Sequence, residues 1–108
     1  MPPKPFYIFI IYHLMGQVPQ EKDMDFGEAL RAMKSGAKCR RMGWNGEGIY
    51  IAICRPKSTV SPDDMTGPFI YIDTYRLKSD NVFAPRCRVP WLASQTDMLA
   101  DDWEIYDE

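Results

Sequence analysis

The feature that most constrains this chain is a single helix whose beginning, apolar face and end are all indicated by local residues. Asp25 can cap the helix, and Glu28 completes a capping box three residues later. Gly36 is suited to end it, just past the last turn. Apolar side chains recur between these limits at a spacing that places them on one face: Phe26, Ala29, Leu30 and Met33. We predict an amphipathic helix between Asp25 and Gly36.

The rest of the chain consists of short strand-like runs separated by glycine, proline and asparagine. Strands are predicted over residues 39–42, 49–54, 69–73 and 86–89, with a last one over 103–106. Asn45-Gly46 indicates a tight hairpin between the first two. Short helices are predicted after Ser61 and over residues 95–100, where Ser94 is the expected cap. The expected fold is α+β, a small, mostly antiparallel β-sheet with an N-terminal amphipathic helix and one or two short helices.

Residues 6–15 form the one strongly apolar stretch, which is about half the ~20 residues that a membrane crossing needs. A β-strand or an upstream translation start, with Met24 as the functional one, explains it better than a signal peptide, because no small-residue cleavage site follows. Residues 16–23 have the composition of a linker. We therefore divide the chain into an extension, residues 1–23, and a single domain, residues 24–108.

Charge and cysteine content exclude several classes of protein. Thirteen basic and fifteen acidic residues give a net charge of −2, which argues against a DNA or RNA binder but leaves room for a small anionic ligand. Cys39, Cys54 and Cys87 are widely spaced, and His13 is the one histidine. We therefore expect free thiols in a reducing cytosol and no metal site.

Enzyme signatures are not present. The glycine-rich run G-W-N-G-E-G matches no nucleotide-binding fingerprint, and one histidine in the extension gives no plausible catalytic triad. The acidic pairs Asp63-Asp64 and Asp101-Asp102 are interpreted as solvated helix ends rather than as a catalytic dyad. No catalytic residue and no cofactor are expected.

Trp44 is a candidate binding residue because it lies on a turn between Gly43 and Asn45-Gly46. Such a ring can stack on a nucleobase. It can equally pack under a neighbouring loop or across a subunit interface, and the residues alone do not decide between these readings.

The segment from Trp91 to Asp97 places an aromatic ring beside several hydrogen-bonding side chains. Ser94, Gln95 and Asp97 suit a base or ribose pocket. Helix capping by Ser94 and Asp97 is the more common use of such residues, with Trp91 then in the core. Trp103, in an alternating strand, is expected to be buried.

Four cations flank the hairpin and are candidates for neutralising a diphosphate: Arg40, Arg41, Arg55 and Lys57. The alternative is that their charges keep an exposed strand edge soluble.

Three stretches of this sequence resemble a known family of phage and prophage proteins. They are M-D-F-G-E-A-L-R-A-M-K-S-G, C-R-R-M-G-W-N-G and P-W-L-A-S-Q-T-D-M-L-A-D-D-W-E-I. The chain from Met24 to Tyr106 is similar to the Thoeris anti-defence sponges, and the third stretch is the most specific of the three.

The resemblance implies a homotetrameric, non-enzymatic protein in the cytoplasm of an infected bacterium. It implies sequestration of a cyclic nucleotide immune signal, either a cyclic ADP-ribose isomer or a cyclic dinucleotide, without cleavage. The positions that match the family motifs are Phe26, Trp44, Asn45, Trp91, Ser94, Gln95 and Asp97. Arg41 and Gly46 complete the predicted site. The alternative is an interaction module of a mobile element that acts on a host protein through Trp44.

Overall fold

The computed structural model describes residues 22–44, 47–56 and 65–107. Within these residues there are two helices, α1 (Phe26–Lys34) and α2 (Gln95–Met98). The same described residues form five strands, β1 (Cys39–Arg41), β2 (Tyr50–Cys54), β3 (Phe69–Asp73), β4 (Arg88–Pro90) and β5 (Trp103–Ile105). The predicted α+β class is confirmed.

The strands form one sheet in the order β4-β3-β2-β1-β5, and every neighbouring pair is antiparallel. The first strand therefore lies between the second and the last. Met24 extends this pairing, because its backbone exchanges two hydrogen bonds with Trp103. The chain thus enters α1 directly beside β5.

Helix α1 begins and ends where its sequence predicts. Asp25 caps it, and the side chains and backbone N–H groups of Asp25 and Glu28 form the reciprocal capping box. Ala29 and Met33 are buried on its inner side. Gly36 follows with a φ of 104°, a conformation that glycine adopts without strain.

The two faces of the sheet differ. One face, here called the helix face, carries Cys39, Ile51 and Ile105, all buried against α1. The other, here called the tyrosine face, carries Tyr50, Tyr71 and Tyr106, whose rings contact one another. Burial raises the pKa of the Cys39 thiol to about 12, so this cysteine is a core residue and not a nucleophile.

Several predicted boundaries are corrected by one or two residues. Strand β1 stops at Arg41, because Gly43 turns towards Asp102. Strand β4 begins at Arg88 rather than at residue 86, because the backbone N–H of Cys87 donates to the side-chain hydroxyl of Thr74 instead of to a strand partner. Helix α2 ends at Met98 rather than at residue 100.

Some predictions lie outside the described residues: the strand over residues 6–12, the helix after Ser61, the Asn45-Gly46 turn and Lys57. In the part of the chain that is described, no helix is long and apolar enough to cross a membrane.

Candidate functional site

Four aromatic rings meet on the helix face, beside the first turn of α1. Trp103 is fully buried, as predicted, and it forms the floor of this group. Its ring centroid lies 5.4 Å from that of Phe26, 5.5 Å from Trp44 and 6.1 Å from Trp91. We call Phe26, Trp44, Trp91 and Trp103 the tryptophan cluster. Three predicted site residues, far apart in the sequence, are thus brought together.

The three outer rings of the cluster are half-buried. Trp44 and Trp91 are 6.3 Å apart and contact each other edge to face, and Phe26 lies 6.3 Å from Trp91. Trp44 is therefore not an isolated ring on an open turn. It packs against tryptophans from two other segments while part of its surface stays accessible.

The polar residues beside Trp91 form a capping box at the start of α2. The hydroxyl of Ser94 accepts the backbone N–H of Asp97, and the Asp97 carboxylate accepts the backbone N–H of Ser94 at 3.0 Å. The capping interpretation of these two residues is therefore the observed one. Gln95 is exposed, and its side chain has no hydrogen bond to another described residue.

Arg41 joins this helix to the loop that precedes β5. Its Nη1 donates to Oδ1 of Asp97 at 2.9 Å, and its Nε donates to Oδ1 of Asp102 at 2.8 Å. These groups are partly buried, with 20% of the Arg41 side chain and 14% of the Asp97 side chain exposed. One guanidinium thus faces two carboxylates, so this polar group beside the tryptophan cluster has one more negative charge than positive.

Both carboxylates are held ionised. For Asp97, burial opposes ionisation, but the hydrogen bonds from Ser94 and Arg41 outweigh it and the pKa is lowered. For Asp102, the hydrogen bond from Arg41 is the main reason that its pKa is lowered. The pKa of Arg41 is raised by the same two partners.

The prediction that four cations neutralise a phosphate is not supported by these contacts. Arg41 is bound to Asp97 and Asp102, while Arg40 lies on the tyrosine face, 3.2 Å from Glu104. Arg55 donates to the carbonyl oxygen of Lys34 at the end of α1. The three arginines therefore bind three different parts of the protein. Arg40 and Arg41 diverge because neighbouring residues of a strand point to opposite faces of the sheet.

Asp102 is a residue of the site that the sequence interpretation missed. The sequence pattern indicates that both Asp101 and Asp102 are solvated, whereas in the structure only Asp101 is exposed. Asp102 also accepts the backbone N–H of Gly43 through Oδ2 at 3.1 Å. A Cβ at Gly43 would lie 3.0 Å from this oxygen, so a larger residue there would push the Asp102 carboxylate by a few tenths of an ångström. The sequence signal that could have identified Asp102 is its place in the D-D-W run, directly before the buried Trp103.

A second polar cluster lies on the tyrosine face. Asp73 is buried, and it accepts hydrogen bonds from Arg88 Nε at 2.6 Å, the Tyr50 hydroxyl at 3.0 Å and the backbone N–H of Tyr75 at 2.9 Å. These residues line a depression of about 270 Å³ together with Lys38 and Arg76. Both carboxylate oxygens of Asp73 accept hydrogen bonds within the protein, and the ion pair with Arg88 links β3 to β4.

No group of three or more histidine, cysteine, aspartate or glutamate side chains in residues 22–44, 47–56 and 65–107 is arranged to hold a metal ion. Within those residues, Cys39, Cys54 and Cys87 are free thiols.

Comparison with known proteins places the chain in a family. The family model described as the Thoeris anti-defense 2-like domain matches residues 24–106, which include every residue of the tryptophan cluster. The protein Thoeris anti-defense 2 of Bacillus phage SP01 is 33% identical over 92 residues, covering 76% of this chain and 93% of the relative. The chain therefore belongs to the Thoeris anti-defense 2-like family.

Proposed function

We propose that this protein binds a cyclic nucleotide immune signal, a cyclic ADP-ribose isomer or a cyclic dinucleotide, and holds it without cleaving it. Sequestration in the cytoplasm of the infected bacterium would keep the downstream effector silent. Membership of an anti-defence family supports the biological role. The observation that carries the proposed binding is the tryptophan cluster, with its three half-buried rings beside polar groups.

The outer rings of the cluster suit a nucleobase. Aromatic side chains stack on bases with about 1–3 kcal/mol for each contact. Trp44 and Trp91 rest on the buried ring of Trp103, so they are already positioned before a ligand arrives. Binding therefore costs little side-chain entropy, which favours a high affinity.

The polar groups around the cluster favour ribose hydroxyls and base amino groups over phosphate. Asp97 and Asp102 outnumber the one guanidinium between them, so we expect the phosphates of a bound cyclic nucleotide to lie away from these two carboxylates, with its base or ribose beside them. Carboxylates accept hydrogen bonds from hydroxyl and amino groups. Gln95 both donates and accepts, and it is exposed beside Asp97.

The same groups suit binding without hydrolysis. A general acid at neutral pH needs a pKa near 7. The pKa values of Asp97 and Asp102 are shifted the other way, by their hydrogen bonds to Arg41 and to backbone N–H groups. These carboxylates therefore hold a ligand in place but do not deliver a proton to it.

We also propose that the protein forms a homo-oligomer, with a tetramer as the expected state. Leu92 and Leu99, which flank the site, are 91% and 78% exposed. A second copy packing on such side chains buries apolar surface, and closed symmetric assemblies are the common result. A monomer mass by light scattering across micromolar concentrations would contradict this expectation.

A thermal-shift panel of cyclic nucleotides tests the function, because a ligand bound only by the folded state raises its stability. Calorimetry should then give the affinity for a cyclic ADP-ribose isomer and for a cyclic dinucleotide. Chromatography of the ligand released by heat should recover it intact. Trp44→Ala should weaken binding roughly tenfold to a hundredfold.

The matched control is Phe83→Ala, which removes an aromatic ring that is 89% exposed in a distant loop. It should bind like the parent protein. Asp97→Ala should also weaken binding, and it should cost about 1 kcal/mol of stability because Asp97 belongs to the capping box of α2. If the parent binds neither class of nucleotide, the sponge function is wrong, and a host-protein partner becomes the function to test.

A further inference from the structure

Asp102 contacts the segment that carries Trp44 at three successive residues. Its carboxylate accepts from Arg41 Nε at 2.8 Å and from the backbone N–H of Gly43 at 3.1 Å. Its backbone carbonyl accepts the N–H of Met42 at 3.0 Å. The end of β1 and the turn after it are thus fixed to the residue that immediately precedes β5.

Trp44 itself makes few hydrogen bonds that could hold its ring in place. Its backbone N–H donates to the carbonyl oxygen of Arg41 at 3.2 Å. Its indole N–H makes no hydrogen bond to another described residue, whereas the indole N–H of Trp103 donates to the Asp97 carbonyl oxygen at 3.0 Å. The position of the Trp44 ring therefore depends on the backbone of residues 41–43 and on ring contacts.

We infer that Asp102 is a positioning residue, which sets the Trp44 ring against Trp91 and Trp103 through its hydrogen bonds to Arg41 and Gly43. The consequence for affinity rests on the proposed nucleotide binding, but the effect on the Trp44 ring does not. Loss of the Asp102 carboxylate releases the turn, and Trp44 then samples several positions. The ligand must order this ring when it binds, so the affinity falls.

Two substitutions at Asp102 separate its two contacts. Asp102→Ala removes both side-chain hydrogen bonds. Asp102→Asn removes the charge that faces Arg41 but keeps an oxygen that can accept the Gly43 N–H, so it should restore part of the parent behaviour. The matched control is Asp101→Asn, which makes the same change in charge at the adjacent exposed residue, where no ion pair or hydrogen bond to another described residue is lost.

The direct measurement is a ¹H–¹⁵N spectrum of the full chain, in which each of the three tryptophans gives one indole N–H signal. Trp44→Phe identifies the signal of Trp44. We expect Asp102→Ala to shift or broaden that signal, while the Trp103 signal stays sharp because its indole N–H keeps its bond to the Asp97 carbonyl oxygen; we expect Asp101→Asn to change neither signal. Calorimetry with a cyclic ADP-ribose isomer and with a cyclic dinucleotide should show about tenfold weaker binding for Asp102→Ala and a smaller loss for Asp102→Asn.

Each outcome decides a separate claim. An unchanged Trp44 signal in folded Asp102→Ala overturns the positioning role, and if that variant does not fold, Asp102→Asn decides in the same way. A displaced Trp44 with parental affinity overturns the link between position and binding. If the parent itself binds no probe, the proposed function fails, while the spectrum still decides whether Asp102 positions Trp44.

Discussion

Each face of the sheet has one arginine that binds aspartate, and the two arginines have different roles: Arg88 binds Asp73, whereas Arg41 binds both Asp97 and Asp102. On the tyrosine face, Arg88 and Asp73 are direct neighbours on paired strands, so the backbone ladder alone places them together. On the helix face, Arg41 reaches Asp97 and Asp102, residues that are 56 and 61 positions away and belong to no neighbouring strand position.

The two sites therefore differ in what the ion pair contributes. The pair on the tyrosine face compensates a buried charge, and the contacts on the helix face set the positions of the segments that they join. Asp73 is buried, with 3% of its side chain exposed, so its partner mainly compensates a desolvated charge. Asp102 has 33% of its side chain exposed, so less desolvation is at stake. Its contacts instead hold irregular segments that no backbone ladder holds. We therefore expect substitutions on the tyrosine face to change stability, and those beside the tryptophan cluster to change binding.

The largest effect on stability is expected for Arg88→Ala. It leaves the buried Asp73 carboxylate with two hydrogen bonds and without the guanidinium that binds it, at a cost of about 2–3 kcal/mol in the free energy of unfolding. Nucleotide affinity should not change. Urea unfolding and calorimetry measure the two quantities. Lys78→Ala is the control, because Lys78 and Glu47 are both exposed and 3.8 Å apart, and it should have no measurable effect. A weakened affinity in Arg88→Ala would break the comparison.

Arg41→Ala should show the opposite balance. In this variant Asp97 keeps its hydrogen bonds to Ser94, and Asp102 keeps its hydrogen bond from the backbone N–H of Gly43. We therefore expect the free energy of unfolding to fall by only about 1–2 kcal/mol. Affinity for the nucleotide should fall about tenfold, because α2 and the Trp44 turn lose their common anchor. Arg31→Ala, an exposed change on α1, is the control. Parental affinity in folded Arg41→Ala would show that the anchor does not matter to binding.

Alkaline pH should act on the tyrosine face through Tyr50. Burial, and then the hydrogen bond to Asp73, raise the pKa of Tyr50 to about 12. The unfolded chain ionises its tyrosines near pH 10. The stability from Tyr50 is thus complete below about pH 10, and it disappears as the pH rises to about 12. Tyr50→Phe should be about 1 kcal/mol less stable than the parent at neutral pH, and the gap should close in alkaline urea titrations. A constant gap would refute this reading.

The smallest effect is expected from deletion of residues 1–23. Met24 already pairs with Trp103, and Asp25 caps α1 with its own side chain, so the domain begins with satisfied backbone groups. We expect the truncated protein to unfold within about 0.5 kcal/mol of the full chain and to bind nucleotide equally well. A loss of several kcal/mol would mean instead that residues 6–12 bury apolar surface in the core, at ~25 cal/mol per Å².

The helices and the last strand could be predicted because the signals for them lie within a few residues of one another in the sequence. The capping boxes at Asp25 and Ser94 involve residues three positions apart, so both helices could be placed from sequence. The alternation of Trp103 and Ile105 gave the last strand and its buried side. These features need no knowledge of the rest of the chain.

Contacts between distant segments could not be predicted in the same way. The position of β1 between β2 and β5 depends on pairing across more than sixty residues. Until that pairing is known, Asp102 looks like any solvated acid, and Trp44 looks exposed because nothing near it in sequence covers it. Its neighbours Trp91 and Trp103 come from the far end of the chain.

The two roles of Asp97 have a consequence for how this site can evolve. One carboxylate both starts a helix and binds the arginine beside the tryptophans. A mutation of Asp97 alters the helix cap and the contact with Arg41 at the same time. A substitution that favoured a new ligand would therefore also disturb the fold at this position. Gln95 carries no such structural constraint, because it is exposed and its side chain bonds to no other described residue. Divergent lineages should therefore change at Gln95 first, while Asp97 stays fixed.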